Sequence, residues 1–138
     1  MIYYNIIHNF MPENKKIVIM EDDLAMREIM LHKLAKAGFS VKAAEDGSKG
    51  YILVEEEKPD LVVMDLMMPN MDGYEVLKRL RAHSDSKIAN TPVIVLSNLW
   101  SKEDILKAQQ YNVKDYMIKA YFTPDEILAK INAVLISN

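Results

Sequence analysis

Asp65 closes an apolar run, Leu61-Val62-Val63-Met64, set between Pro59-Asp60 and Met68-Pro69-Asn70. A run rich in β-branched residues and bounded by turn formers predicts a fully buried strand. A carboxylate at the end of such a strand needs compensation, because an unpaired charge there is strongly disfavoured. Three other strand-like runs also end in polar groups: 17–20 in Glu21-Asp22-Asp23, 91–96 in Ser97, and 115–118 in Lys119. On its own, Glu21-Asp22-Asp23 would suit the cap of a following helix, where negative charge meets the positive end of the dipole. Capping leaves Asp65 unexplained. Carboxylates brought together repel unless a proton or cation compensates them, and a small all-oxygen set suits magnesium. With a hydroxyl and a long-stemmed ammonium added, the set suits phosphoryl transfer, which relies on positioning and charge stabilisation.

For these residues to meet, the strands must lie side by side with their carboxyl ends together. From Lys15 onward the sequence alternates strand-like and helix-like patterns five times. Apolar spacing at Met26, Ile29, Met30, Leu34 and Ala37 predicts a helix over 24–37, stopped at Gly38. Residues 39–44 alternate as a half-exposed strand. Further helices are predicted over 47–56, 73–83 and 102–111, and a last one opens at Thr123-Pro124-Asp125-Glu126, a capping box with proline at the first helical position. Five βα units predict an α/β fold, a flavodoxin-like doubly wound five-stranded parallel sheet in the order 2-1-3-4-5 with helices on both faces. That order puts strands one and three together and brings Glu21, Asp22 and their neighbour Asp23 to Asp65.

The 138 residues suffice for one domain burying roughly two-thirds of its unfolded surface. A net charge of −3 gives no basic face for nucleic acid. The absence of cysteine excludes disulfides and thiolate zinc sites, and fits a reducing, cytoplasmic compartment. No stretch approaches the ~20 apolar residues of a membrane span. Residues 1–14 are expected to form an N-terminal extension, broken from the domain (15–138) at Pro12-Glu13-Asn14; the apolar start lacks the basic region and cleavage site of a signal peptide. A start at Met11 is the alternative. His8, His32 and His83 have no partners at ligand spacing, and Met64, Met67, Met68 and Met71 suit adaptable packing.

The segments 17–23, 60–73 (with LVVMDLMMPNMDG), 91–97 and 115–119 resemble the receiver domain of bacterial two-component response regulators, of the single-domain chemotaxis-regulator type, over about residues 15–138. The resemblance implies a regulatory phosphoacceptor rather than an enzyme. Asp65 would take the phosphoryl group from a sensor histidine kinase or phosphotransfer protein, as carboxylate nucleophiles do. Glu21, Asp22 and Asp65, with the Met67 backbone carbonyl, would hold magnesium. Ser97 and Lys119 would each bond a phosphoryl oxygen, and Tyr116 stands where the family carries its switch aromatic. Phosphorylation would draw Ser97 inward, let Tyr116 follow, and alter a face of the fourth helix, fifth strand and fifth helix that binds a downstream protein. Homodimerisation through that face is left open. No nucleic-acid or membrane contact is expected, and the polar Ser137-Asn138 end fits a stand-alone receiver better than a fragment.

The chain departs from the family in two places. Ala120 follows Lys119 where the family usually has a proline in a cis bond. A cis peptide before a non-proline costs about 2.5–4 kcal/mol, which favours a trans Lys119–Ala120 bond and a rearranged loop through Tyr121-Phe122. Asn98 replaces the usual small residue after the hydroxyl, where it would narrow the site or offer a hydrogen bond. Met67 and Leu99, two positions beyond Asp65 and Ser97, cannot position water, so slow self-dephosphorylation is expected. Two other readings compete: a pseudo-receiver that binds partners without phosphorylation, and a magnesium-dependent phosphohydrolase. The second commonly carries an aspartate where Met67 stands.

Overall fold

The computed structural model describes residues 15–137. The chain runs β1 (Lys16–Met20), α1 (Leu24–Lys36), β2 (Ser40–Ala44), α2 (Gly47–Glu57), β3 (Leu61–Met64) and α3 (Gly73–Arg81). A one-turn helix (Ser86–Ala89) then leads to β4 (Val93–Ser97), α4 (Lys102–Gln109), β5 (Asp115–Ile118), a 3-10 turn (Lys119–Tyr121) and α5 (Pro124–Ser137). The five strands form one parallel sheet in the order β2-β1-β3-β4-β5, as the sequence predicts.

Alternate side chains of each strand point to opposite faces, and here both faces are covered. Val18, Met20, Val62, Met64, Val93 and Val95 pack with residues of α2 and α3 and with Ala108 of α4. Ile17, Ile19, Leu61, Val63, Ile94 and Leu96 pack with Met30 and Leu34 of α1 and with Ile127, Ile131 and Val134 of α5. That double covering is why β1, β3 and β4 read as continuous apolar runs rather than alternating ones.

Side-chain oxygens open every main helix. Asp23, Asp46, Asp72 and Ser101 accept the N–H of Met26, Lys49, Glu75 and Asp104 respectively. At α5 the capping box is reciprocal: Thr123 Oγ1 accepts from Glu126 N at 3.2 Å and Glu126 Oε1 accepts from Thr123 N at 2.9 Å.

The element ends differ slightly from the pattern in the sequence. β3 stops at Met64, so Asp65 stands one residue past the strand. β4 starts at Val93, leaving Thr91 and Pro92 ahead of it, where the Pro92 carbonyl still accepts the Val62 N–H at 2.9 Å. α3 ends at Arg81 rather than His83, and α4 at Gln109 rather than Tyr111. Just at the end of α3, the Arg81 guanidinium donates to the carbonyls of Ala89 (2.9 Å), Thr91 (2.8 Å) and Tyr111 (2.6 Å), tying three segments together. His83 lies in the turn that follows, its Nδ1 accepting the Asp85 N–H at 2.9 Å.

Candidate functional site

Pairing of Met20 with Met64 across β1 and β3 puts the next residues, Glu21 and Asp65, side by side. Each is fixed by its backbone: Glu21 N–H donates to Ala44 O and Asp65 N–H to Met20 O, both at 3.0 Å. Carboxylate oxygens of Glu21, Asp22 and Asp65 lie within 4.8 Å of one another. Glu21 and Asp65 are buried and Asp22 is exposed. Asp23 stays outside this group and caps α1, its Oδ1 accepting Met26 N–H at 2.8 Å. Gly73 lets the start of α3 approach the site loop, since a Cβ there would stand 2.6 Å from the Asp65 carbonyl oxygen.

The neighbouring strands bring the remaining groups. Lys119 Nζ pairs with Glu21 Oε1 and lies 2.6 Å from Asp65 Oδ2. Ser97 is fully buried at the end of β4, and its Oγ accepts the Leu99 N–H at 3.3 Å. Tyr116 donates its hydroxyl to the Leu99 carbonyl at 2.6 Å. Met67 N–H donates to Asp65 Oδ1 at 3.2 Å, while its side chain is exposed. A groove of about 730 Å³ opens beside the acids, walled by Leu66, Met67, Met68, Tyr74 and Leu99.

Burial pushes the Glu21 carboxyl above its usual range, and Lys119 offsets this only in part. For Lys119, burial disfavours the ammonium, yet the hydrogen bonds and charges of Asp65 and Glu21 outweigh it and hold the group above its ordinary value. Tyr116 is pushed up to about 12, first by burial and then by Tyr74, Asp104 and Asp65, so its hydroxyl remains a neutral donor. Three carboxylates facing one ammonium leave two negative charges uncompensated. All-oxygen donors with that deficit fit a hard divalent cation such as magnesium.

The family model for the response regulator receiver domain matches residues 17–132. The chain belongs to that family. Similar proteins include the DNA-binding dual master transcriptional regulator RpaA of Synechocystis, 37% identical over 120 residues, which cover 87% of this chain and 48% of RpaA. The receiver domain of Francisella response regulator 1452 superposes with a TM-score of 0.79 at 31% identity, covering 90% of this receiver and 98% of that chain. The Vibrio cholerae chemotaxis protein CheY4 does so with a TM-score of 0.79 at 26% identity, covering 88% and 98%. This receiver spans about half the length of the curated relatives it matches.

Glu21, Asp22, Asp65, Met67, Ser97 and Lys119 fall at the carboxyl edge of the sheet, whereas Tyr116 lies within β5, paired with Val95, and reaches toward that edge through its hydroxyl. Lys119–Tyr121 forms a 3-10 turn, and no cis peptide bond occurs among the described residues. Asn98 offers the hydrogen bond, to the Ala120 N–H at 3.2 Å. Tyr116 is half-buried and held at the Leu99 carbonyl.

Two supporting contacts had no signal in the sequence. Arg27 Nη1 donates to the Glu21 carbonyl at 2.9 Å, pinning the acidic loop to α1. Asn70, at a left-handed φ of 67°, donates its Nδ2 to Asp46 Oδ2 at 2.8 Å and ties the loop after Asp65 to the start of α2. Residues 1–14, expected to form an extension, lie outside the described residues.

Proposed function

We propose that Asp65 is the phosphoacceptor of this receiver, and that its phosphorylation alters the face formed by α4, β5 and α5. The observation that carries this reading is the single Lys119 ammonium shared by Glu21 and Asp65 beside the buried Ser97 hydroxyl. A carboxylate oxygen of Asp65 attacks the phosphorus of a phosphohistidine. The new O–P bond forms as the P–N bond breaks, and its electron pair leaves with the imidazole. Lys119 then pairs with one phosphoryl oxygen and Ser97 donates its hydroxyl to another. Glu21, Asp22 and Asp65, with the Met67 carbonyl, would hold magnesium, which supplies charge neutralisation for the transferred group.

The signal would leave through one residue, Leu99. Leu99 donates its N–H to Ser97 and accepts the Tyr116 hydroxyl at its carbonyl. A pull on Ser97 therefore reaches Tyr116 and the start of α4. Upstream, the partner is a sensor histidine kinase or phosphotransfer protein; downstream, a protein target. No direct nucleic-acid contact is assigned to residues 15–138, given the net charge of −3 on the chain. Among the described residues no helix is long and apolar enough to cross a membrane. A cytoplasmic location is part of the proposal.

Incubation with phosphoramidate and magnesium, followed by intact mass measurement, tests the reading. An adduct that is stable in the wild type and absent in Asp65→Asn supports it. Continuous release of phosphate would indicate a hydrolase, and no adduct at any donor concentration would indicate an interaction module.

A further inference from the structure

The turn that carries Lys119 has an unusual beginning. In a helical turn the first N–H groups lack internal partners and need an acceptor. Ile118 precedes the 3-10 turn Lys119–Tyr121 and supplies no side-chain acceptor. The acceptor comes from the neighbouring strand instead. Ser97 of β4 pairs with Ile118 of β5, so Asn98 and Lys119 are the next residues along the two strands. From there Asn98 Oδ1 reaches the Ala120 N–H at 3.2 Å. Only a residue other than proline at 120 has an N–H to give. The turn is otherwise held by a long backbone bond, Phe122 N–H to Lys119 O at 3.4 Å, and Tyr121 beyond it is exposed.

We propose that Asn98 is a positioning residue for Lys119: by accepting the Ala120 N–H it caps the turn from the adjacent strand and aims the ammonium at Asp65 and Glu21. Asn98 and Ala120 then form a matched pair, an acceptor and the donor it requires, in place of a ring-fixed backbone. The role rests on the phosphoacceptor reading above. Because the bond is partly open to water, its effect is modest, and its removal should slow transfer about fivefold, in line with a hydrogen bond's usual net worth.

The experiment measures the phosphorylation rate of the full chain with phosphoramidate for Asn98→Ala, Lys119→Ala and the double variant. Hydrogen exchange at the Ala120 amide is followed in parallel. Asn98→Ala should slow phosphorylation about fivefold when Lys119 is present, have no effect when Lys119 is absent, and speed Ala120 exchange. Equal slowing in both backgrounds, or unchanged Ala120 exchange, overturns the positioning role. A wild-type chain that forms no adduct overturns the phosphoacceptor reading, and Asn98's part in transfer falls with it. Ala120 exchange then reports separately whether Asn98 holds the turn.

Discussion

Glu21 illustrates the cost of assembling this site. Its carboxyl is buried, and that burial raises its pKa from the ordinary 4.5 more than Lys119 lowers it. A carboxyl raised in the folded state binds its proton more readily there than in the unfolded chain. The destabilisation it causes is absent below the ordinary 4.5 and grows as pH rises through the raised value. Glu21→Gln is therefore expected to raise the urea midpoint of the metal-free protein at neutral pH and to leave it nearly unchanged at pH 4. The same variant should weaken the stabilisation that magnesium gives, which follows from binding to the folded state alone. Titrating magnesium against Tm in both proteins checks this. Met67 and Leu99 set a second property of the site. Both line the groove that Asp22 borders, and neither side chain has a hydrogen-bonding group to hold a water for attack on the acyl phosphate. Phosphorylated wild type should persist for minutes or longer, and Met67→Asn should shorten that lifetime several-fold in a decay assay; a wild-type lifetime of seconds would refute the assignment.

Among the elements, α2 starts on a cap that a distant partner supports. Asp46 is buried, caps the helix at Lys49 N–H (2.8 Å) and accepts Asn70 Nδ2 at 2.8 Å. Asp46→Ala should cost about 2 kcal/mol, the upper end for an N-cap, and Asn70→Ala less than that, both read from urea unfolding. The Lys49 N–H bond, aided by Asn70, holds the Asp46 carboxyl below its ordinary 3.8. Its contribution is thus complete above the ordinary value and is lost as pH falls through the lowered one. The sequence displayed Asp46 but not this role, because its partner lies 24 residues away. The same reason hid Arg27 and the pairing of Asn98 with Ala120. The one-turn helix Ser86–Ala89 escaped notice differently: four residues with only Ile88 buried are too short to show a period. By contrast the strands, their order and the residues at their ends were legible, since continuous apolar runs, helical spacing and polar strand ends are local signals. Asp65 was conspicuous for that reason, while the turn that delivers Lys119 depended on a contact between two strands.

At the scale of the molecule, the site edge and the output face meet at the start of α4. Trp100, between β4 and α4, is 72% exposed and lies next to the Leu99 peptide that Tyr116 holds. Phosphorylation is expected to change Trp100 fluorescence and amide exchange over residues 100–122, with little change in β1 and β3. Unaltered signals in a protein shown by mass to be phosphorylated would reject the switch. α4 itself is lightly seated, with Ala108 its one buried residue. Its tail is a different matter, because Arg81 grips the Tyr111 carbonyl just beyond the helix. On the proposed switch, a rod of eight residues, about 12 Å long, would be held at its Tyr111 end and pulled at the other, against the Tyr74 hydroxyl that bonds the Asp104 carbonyl in its first turn. Such a rod would sweep through an angle instead of sliding, with travel that grows with distance from the held end. Trp100 would then stand at the far tip of that arc and Tyr111 near the axle.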